Sequence, residues 1–263
     1  MKIKNILAVL AMATLVLIPK VQVMAAEEDK QTSIREEIDA IIRSSEDGGI
    51  SPYAATNKIA NKCSVICETL ENNPLQGKNI AVIGDSISVQ SWPERMGMIS
   101  DSNITNLAIG GSAIADYWDE TSIILRWQEI PSDSDVIIVM AGINDYFVCA
   151  NGSGDFDKYA EDTWNLLSGI RNTYSADVYL VTTYKSDSDT WEQFGGSDIT
   201  PYYDLQKEYC DQLGIKVIDI HDTSFMDSHD AMVKEEFIPD GVHPNDDGAW
   251  NLAYYIFSEL IRE

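Results

Sequence analysis

The stretch Asn79-Ile80-Ala81-Val82-Ile83-Gly84-Asp85-Ser86 decides the fold. Its first residues make a continuous β-branched apolar run without alternation, the pattern of a strand covered on both faces in a parallel sheet. Gly84 breaks the run, and Asp85 and Ser86 are residue types that cap and open helices. Four further runs repeat the theme: ITNLAI over 104–109, DVIIVMA over 135–141, DVYLVTT over 177–183 and IKVIDI over 215–220. Between them the sequence predicts helices near 91–99, 121–129, 155–174 and 200–213, with a last one over 245–262. Strand–helix alternation of this kind implies βαβ units and an α/β fold, a doubly wound parallel five-stranded sheet. In such sheets reactive groups gather beyond the carboxyl ends of the strands, so the residues that directly follow the strands are the candidates for chemistry.

Upstream the pattern differs. Residues 27–75 predict a helical N-terminal extension, in which Ile34, Ile38, Ile41 and Ile42 form a stripe at helical spacing closed by Asp47-Gly48-Gly49. A second helical stretch over about 53–71 stops near Asn73-Pro74. Residues 1–25 read as a secretory signal peptide: basic MKIKN, the apolar run ILAVLAMATLVLIP, and a small-residue site with cleavage expected after Ala25 or Ala26. Pro19 and Lys20 cut the apolar run short of the roughly 20 residues a membrane span needs. The expectation is therefore a secreted, extracellular protein with no membrane insertion after cleavage, its main domain over 78–263.

The chain has 263 residues, and its 44% hydrophobic content, six Trp and twelve Tyr can build a core and exclude disorder as the main theme. With 43 acidic against 18 basic side chains and a net charge of −25, nucleic acid is excluded as a partner and docking to anionic lipid is disfavoured. Cleavage would remove Lys2, Lys4 and Lys20 and no acid, leaving the mature chain more acidic still. Export permits disulfides among Cys63, Cys67, Cys149 and Cys210, whose connectivity the sequence does not settle. Cys63 and Cys67 are four residues apart on a helix and badly placed for each other, and free buried thiols are an equally good reading. No His pair stands at ligand spacing, so neither metal nor cofactor is implied.

Four strand ends or loops carry chemistry-bearing residues. Ser86, just past the first strand and opening a helix, is placed as an exposed nucleophile beside amides that favour developing negative charge. Gly110-Gly111 follow the second strand and allow the backbone to present bare amides. Asn144, in Gly142-Ile143-Asn144-Asp145 after the third strand, supplies a neutral amide donor. In Asp240-Gly241-Val242-His243-Pro244, three-residue spacing lets the Asp240 carboxylate reach one imidazole nitrogen of His243, which leaves the other for the Ser86 hydroxyl. Taken singly, each is also an ordinary turn or cap. His221 and His229 have less support as catalytic groups than as structural ones.

Together, in this order, the four blocks resemble the SGNH (GDSL-type) hydrolase superfamily over about residues 78–262, with Ile87 where the type's shorter name has Leu. The resemblance implies a flavodoxin-like three-layer α/β/α fold and ester hydrolysis through an acyl-enzyme. It implies Ser86 as nucleophile, His243 as general base and then acid, Asp240 as its orienting carboxylate, and an oxyanion hole from the Ser86 and Gly111 amides and the Asn144 side chain. The Gly-x-Ser-x-Gly elbow of α/β-hydrolases is absent, since position 88 is Ser.

An acylated small molecule or polysaccharide is the expected partner. Secreted relatives of this type suggest a carbohydrate O-acetylesterase, and Trp92, Tyr117, Trp118, Tyr146 and Trp191 are candidate platforms for sugar rings, with plain loop packing the other reading of each. A secreted lipase, lysophospholipase or short-chain esterase is the alternative, and a non-catalytic polysaccharide-binding protein a distant third.

Overall fold

The computed structural model describes residues 30, 32–70, 73–117, 120–194 and 197–262. The expected signal peptide and Trp118 lie outside them. In chain order the elements are a helix α1 over 32–46, α2 (Pro52–Thr69), β1 (Asn79–Gly84), α3 (Ser86–Val89), α4 (Trp92–Ser100), β2 (Asn103–Asn106), α5 (Ile123–Arg126), β3 (Val136–Met140) and α6 (Ile143–Ala150). They continue with α7 (Phe156–Thr173), β4 (Asp177–Val181), α8 (Thr200–Leu213), β5 (Lys216–Ile218), α9 (Ala231–Phe237) and α10 (Asp246–Leu260).

The five strands are all parallel, in the order β2-β1-β3-β4-β5. This is the flavodoxin-like doubly wound order, whose switch point falls between β1 and β3. The central strands β1 and β3 are buried along almost their whole length, as their unbroken apolar runs require. The edges differ from expectation. β2 pairs only from 103 to 106 and alternates exposed with half-buried residues, so one face meets solvent. Beyond it the Leu107 and Ile109 amides still donate to the Val82 and Gly84 carbonyls (2.7 and 3.2 Å), so the second strand's exit runs beside the end of β1. β5 is trimmed to three residues.

The helices form two packed sets that flank the sheet. α10 packs on α2, α4 and α9, while α7 packs on α5 and α8. The N-terminal helices join the first set through buried Ile34, Ile38, Ala55, Ile59, Cys63 and Ile66. Polar ties fix them further: the Thr56 hydroxyl accepts from the Met226 amide at 2.9 Å, and the Arg35 guanidinium donates to the Ile261 carbonyl at 3.0 Å. All four cysteines are free thiols. Burial pushes Cys63, Cys67 and Cys210 up to about 12, which keeps them protonated and unreactive.

Candidate active site

The first βα turn places Ser86. Asp85 caps α3, its Oδ1 accepting from the Ile87 amide at 3.0 Å, which turns the chain sharply at the end of β1. Gly84 is required there, because a Cβ would sit 2.5 Å from the Met140 carbonyl oxygen of neighbouring β3. As first residue of the helix, Ser86 keeps a backbone N–H with no intrahelical partner, aimed at whatever lies beyond the turn.

The last loop brings in an imidazole. Asp240 organises a tight turn, its Oδ1 accepting from the Val242 and His243 amides at 2.9 and 2.7 Å. Its Oδ2 stands 2.8 Å from His243 Nδ1, and His243 Nε2 stands 2.7 Å from Ser86 Oγ. Partial burial works to raise the Asp240 carboxyl, but the two amides and the imidazole outweigh it and hold it below the usual carboxylate range. Residues 86 and 243 thus meet across the carboxyl edge of the sheet. The site is open: the side chains of His243 and Asp240 are 35% and 56% exposed.

Further N–H donors come from the next two loops. Ile109–Ser112 form a turn closed by the Ser112 amide on the Ile109 carbonyl at 3.2 Å, with Gly111 at φ +79° as its third residue. That positive φ favours glycine, and the turn's own bond leaves the Gly111 amide unused. A Cβ on Gly110 would meet Ser86 Cβ at 3.9 Å, which sets this turn beside the Ser86 side chain. The Asn144-Asp145 pair opens α6 and grips the same loop. Asn144 Nδ2 donates to the Ser112 carbonyl at 3.0 Å and retains a second N–H, while the Asp145 carboxyl accepts from the Ile114 and Ala115 amides at 2.8 and 3.0 Å. Burial pushes the Asp85 and Asp145 carboxyls up to about 7, against the pull of the amides that each accepts.

Several residues that shape the site escaped the sequence reading. Arg126, 5% exposed, donates from Nη1 to the Leu107 carbonyl (2.5 Å) and from Nη2 to the Gly84 carbonyl (3.2 Å) and Ser112 Oγ (3.3 Å). It ties the ends of the first two strands to the glycine turn. Behind the catalytic turn, Ser186 and Ser228 both donate to the Gly241 carbonyl, at 2.8 and 2.9 Å. Gly241 has φ +84°, and a Cβ there would strike the Asp187 carboxylate, itself paired with Lys234 at 2.6 Å. Ser186 and Ser228 sit in polar loops without periodicity; the only sequence sign of this backing was the Ser/Asp-rich composition of KSDSD over 185–189.

The aromatic candidates separate. Trp92 is fully buried and Tyr146 is 1% exposed with its hydroxyl on the Ser197 carbonyl, so neither offers a face to sugar and both take the packing reading. The apolar core beside the loop is the stronger competitor for both rings. Tyr117 is half-buried, its hydroxyl 3.4 Å from the Asp155 carbonyl and from Cys149 Sγ. Trp191 is half-buried and stacks on Phe147 at 6.2 Å. His229 is held between Asp189 and Asp227, each at 2.8 Å. His221 is buried beside Tyr203, at 4.9 Å between ring centroids, away from the Ser86–His243 pair.

A parallel α/β/α sandwich with these groups at its carboxyl edge defines a serine ester hydrolase of the SGNH type. The chain belongs to the GDSL-like lipase/acylhydrolase family, whose sequence model matches residues 82–250. Among solved structures it is similar to a Lactobacillus plantarum protein at 23% identity and TM-score 0.63, covering 72% of this chain and 98% of the other. An acetylxylan esterase from Geobacillus stearothermophilus, solved as a catalytic mutant, is 16% identical at TM-score 0.54, with 72% and 96% covered. A lipase/acylhydrolase from Enterococcus faecalis is 18% identical at TM-score 0.52, with 70% and 95% covered. At such identities the likeness is one of fold. A comparison with curated proteins gave no match.

Proposed function

We propose that this chain is a secreted carbohydrate O-acetylesterase in which Ser86, His243 and Asp240 form the catalytic triad. The observation that carries the catalytic reading is the unbroken relay from Ser86 Oγ to His243 Nε2 at 2.7 Å and from His243 Nδ1 to Asp240 at 2.8 Å. Ser86 Oγ attacks the ester carbonyl while His243 Nε2 takes its proton. The Ser86 and Gly111 amides and the second Asn144 N–H receive the oxyanion. On collapse His243 returns the proton to the departing alcohol, leaving an acyl-Ser86 ester. Water then attacks that ester with His243 again as base, and the acid departs as Ser86 regains its proton. Asp240 stays ionised throughout and fixes the tautomer of His243.

For the substrate, the open turn and exposed Gly111 suit a bulky alcohol that stays largely in solvent, such as a polysaccharide chain. Two of the structurally similar proteins are acetyl xylan esterases, which supports the same choice. Export rests on the signal-like residues 1–25, and the division into extension and catalytic domain on the change of pattern near residue 78. The test is acetate release from acetylated xylan, pectin and peptidoglycan, beside p-nitrophenyl esters of increasing acyl length. Release from one polymer with a strong preference for acetate is expected; a preference for long acyl chains, for which exposed Val89 and Ile109 would supply an apolar rim, would replace this reading by that of a lipase.

A further inference from the structure

Beyond the ends of β4 and β5 lies a second pocket, of about 170 Å³, lined by Lys185, Asp189, Asp198, Thr200, His221 and His229. It is smaller than the roughly 300–1,000 Å³ of drug-sized sites, and suits a single ring. None of these side chains belongs to the triad or the oxyanion donors. Ser186, which also lines the pocket, donates to the Gly241 carbonyl next to Asp240, so one wall of the pocket is the back of the catalytic turn.

The lining mixes signs. The Lys185 ammonium forms no ion pair with a described residue. His229 is raised above its ordinary value: burial opposes this, and its bonds to Asp189 and Asp227 prevail. The carboxylates of Asp189, bonded to His229 at 2.8 Å, and of Asp198 line the same small space as the Lys185 ammonium. An anionic ligand would meet two carboxylates and a cationic one an ammonium, whereas a neutral polyhydroxyl ligand satisfies both, because each hydroxyl donates and accepts. His221 supplies the most telling group. It is only 6% exposed, its Nε2 lies 3.5 Å from Thr200 Oγ1, and its Nδ1 has no hydrogen-bond partner. Burial lowers its affinity for a proton, so the neutral ring keeps one donor and one acceptor, again the complement of a hydroxyl. Nδ1 itself is closed off from solvent, so it is the Nε2 side of the ring, beside Thr200 Oγ1, that a ligand hydroxyl in the pocket would meet.

We infer that this pocket is a glycosyl subsite, holding a neutral sugar unit of the polymer whose neighbouring acylated unit is presented to Ser86. The inference rests on the carbohydrate reading above and assigns it a second contact, on the β4–β5 side of the catalytic turn. Lys185, Asp198, Thr200 and His221 are binding residues there and take no part in bond making.

The test separates subsite from activity. Ser86→Ala protein is titrated with deacetylated oligosaccharides from xylan, pectin and peptidoglycan while the His221 ring is followed by NMR. At least one is expected to shift the His221 signals, and Lys185→Met or Thr200→Val in that background to weaken its binding at least tenfold. In the active enzyme the same substitutions should lower kcat/KM for the acetylated oligosaccharide at least tenfold more than for p-nitrophenyl acetate, through KM. Acetate release from a polymer with His221 unmoved, or with affinity indifferent to both substitutions, overturns the subsite and leaves the esterase reading intact. Binding at His221 with no acetate released from any polymer overturns the carbohydrate-deacetylase reading alone, and failure of both binding and release overturns both.

Discussion

The catalytic turn and the N-terminal helices are held to the same body by opposite means. In the turn at 240–243 Asp240 is exposed and Gly241 and Val242 are buried, and polar bonds fix it: two amides and an imidazole on Asp240, two hydroxyls on the Gly241 carbonyl. The α1–α2 pair is fixed mainly by apolar burial, with Ile59 fully buried and Ile66 nearly so, against the set of helices that includes α10. Directional bonds set positions to within tenths of an ångström, which catalysis needs; apolar burial contributes stability without aiming any atom. Damage to the turn should therefore appear in rate, and damage to the extension in melting temperature.

The widest split is expected at the base. His243→Ala should lower kcat by about four to six orders of magnitude with the melting temperature little changed, leaving a residual rate from the oxyanion donors. A loss below about tenfold would remove His243 from the chemistry. Asn144→Ala should cost about 10²–10³ in kcat. Because Asn144 also holds the Ser112 carbonyl, a crystal structure of the variant with the glycine turn unmoved would assign the loss to the missing oxyanion donor.

Smaller effects probe the backing of the turn. The pair Ser186→Ala and Ser228→Ala removes two hydrogen bonds worth about 1 kcal/mol each. We expect about a tenfold fall in kcat on p-nitrophenyl acetate with KM unchanged, since neither hydroxyl touches substrate; a change confined to stability would make them ordinary loop ties. On the other side of the comparison, Ile59→Ala should cost about 2–5 kcal/mol of stability while kcat stays at the wild-type value below the melting transition. A rate loss there would mean that the extension reaches into the site.

The last effect concerns pH. Burial raises the Asp85 carboxyl from 3.8 to about 7, so the folded chain retains a proton that the unfolded chain releases. Its stabilisation is complete below about pH 4 and is lost as pH rises toward 7. Thermal melts across that window should fall more steeply with pH for the wild type than for Asp85→Asn, and equal slopes would place the proton elsewhere.

What the sequence made legible follows from periodicity and from turn chemistry. β1 and β3 stand out because burial on both faces forces unbroken apolar runs; the second and fifth runs outlast their strands because the chain beyond keeps only separate ties to the sheet, the Leu107 and Ile109 amides on β1 carbonyls and the Ile220 and His221 amides on the Thr182 hydroxyl. α6 was hidden, since Gly142-Ile143-Asn144-Asp145 has the composition of a turn and is a helix start whose side chains bind the neighbouring loop. Ser86, Gly111, Asn144, Asp240 and His243 are nameable because the four blocks that hold them, taken together, resemble a known hydrolase superfamily, whereas each block alone reads as a turn or a cap. Arg126, Ser186 and Ser228 were not, because their partners are backbone carbonyls distant in sequence, and such partners leave no spacing to read. Trp92 and Tyr146 show the converse, as adjacency to a reactive loop says nothing about which way a ring points.

The central claim is that Ser86 carries the acyl group. Intact-mass and peptide analysis after treatment with a fluorophosphonate tests it most directly. The account predicts a single adduct on the peptide containing Ser86, none in Ser86→Ala, and slow labelling in His243→Ala. An adduct on another serine with Ser86 unmodified, or undiminished labelling of Ser86→Ala, would contradict it.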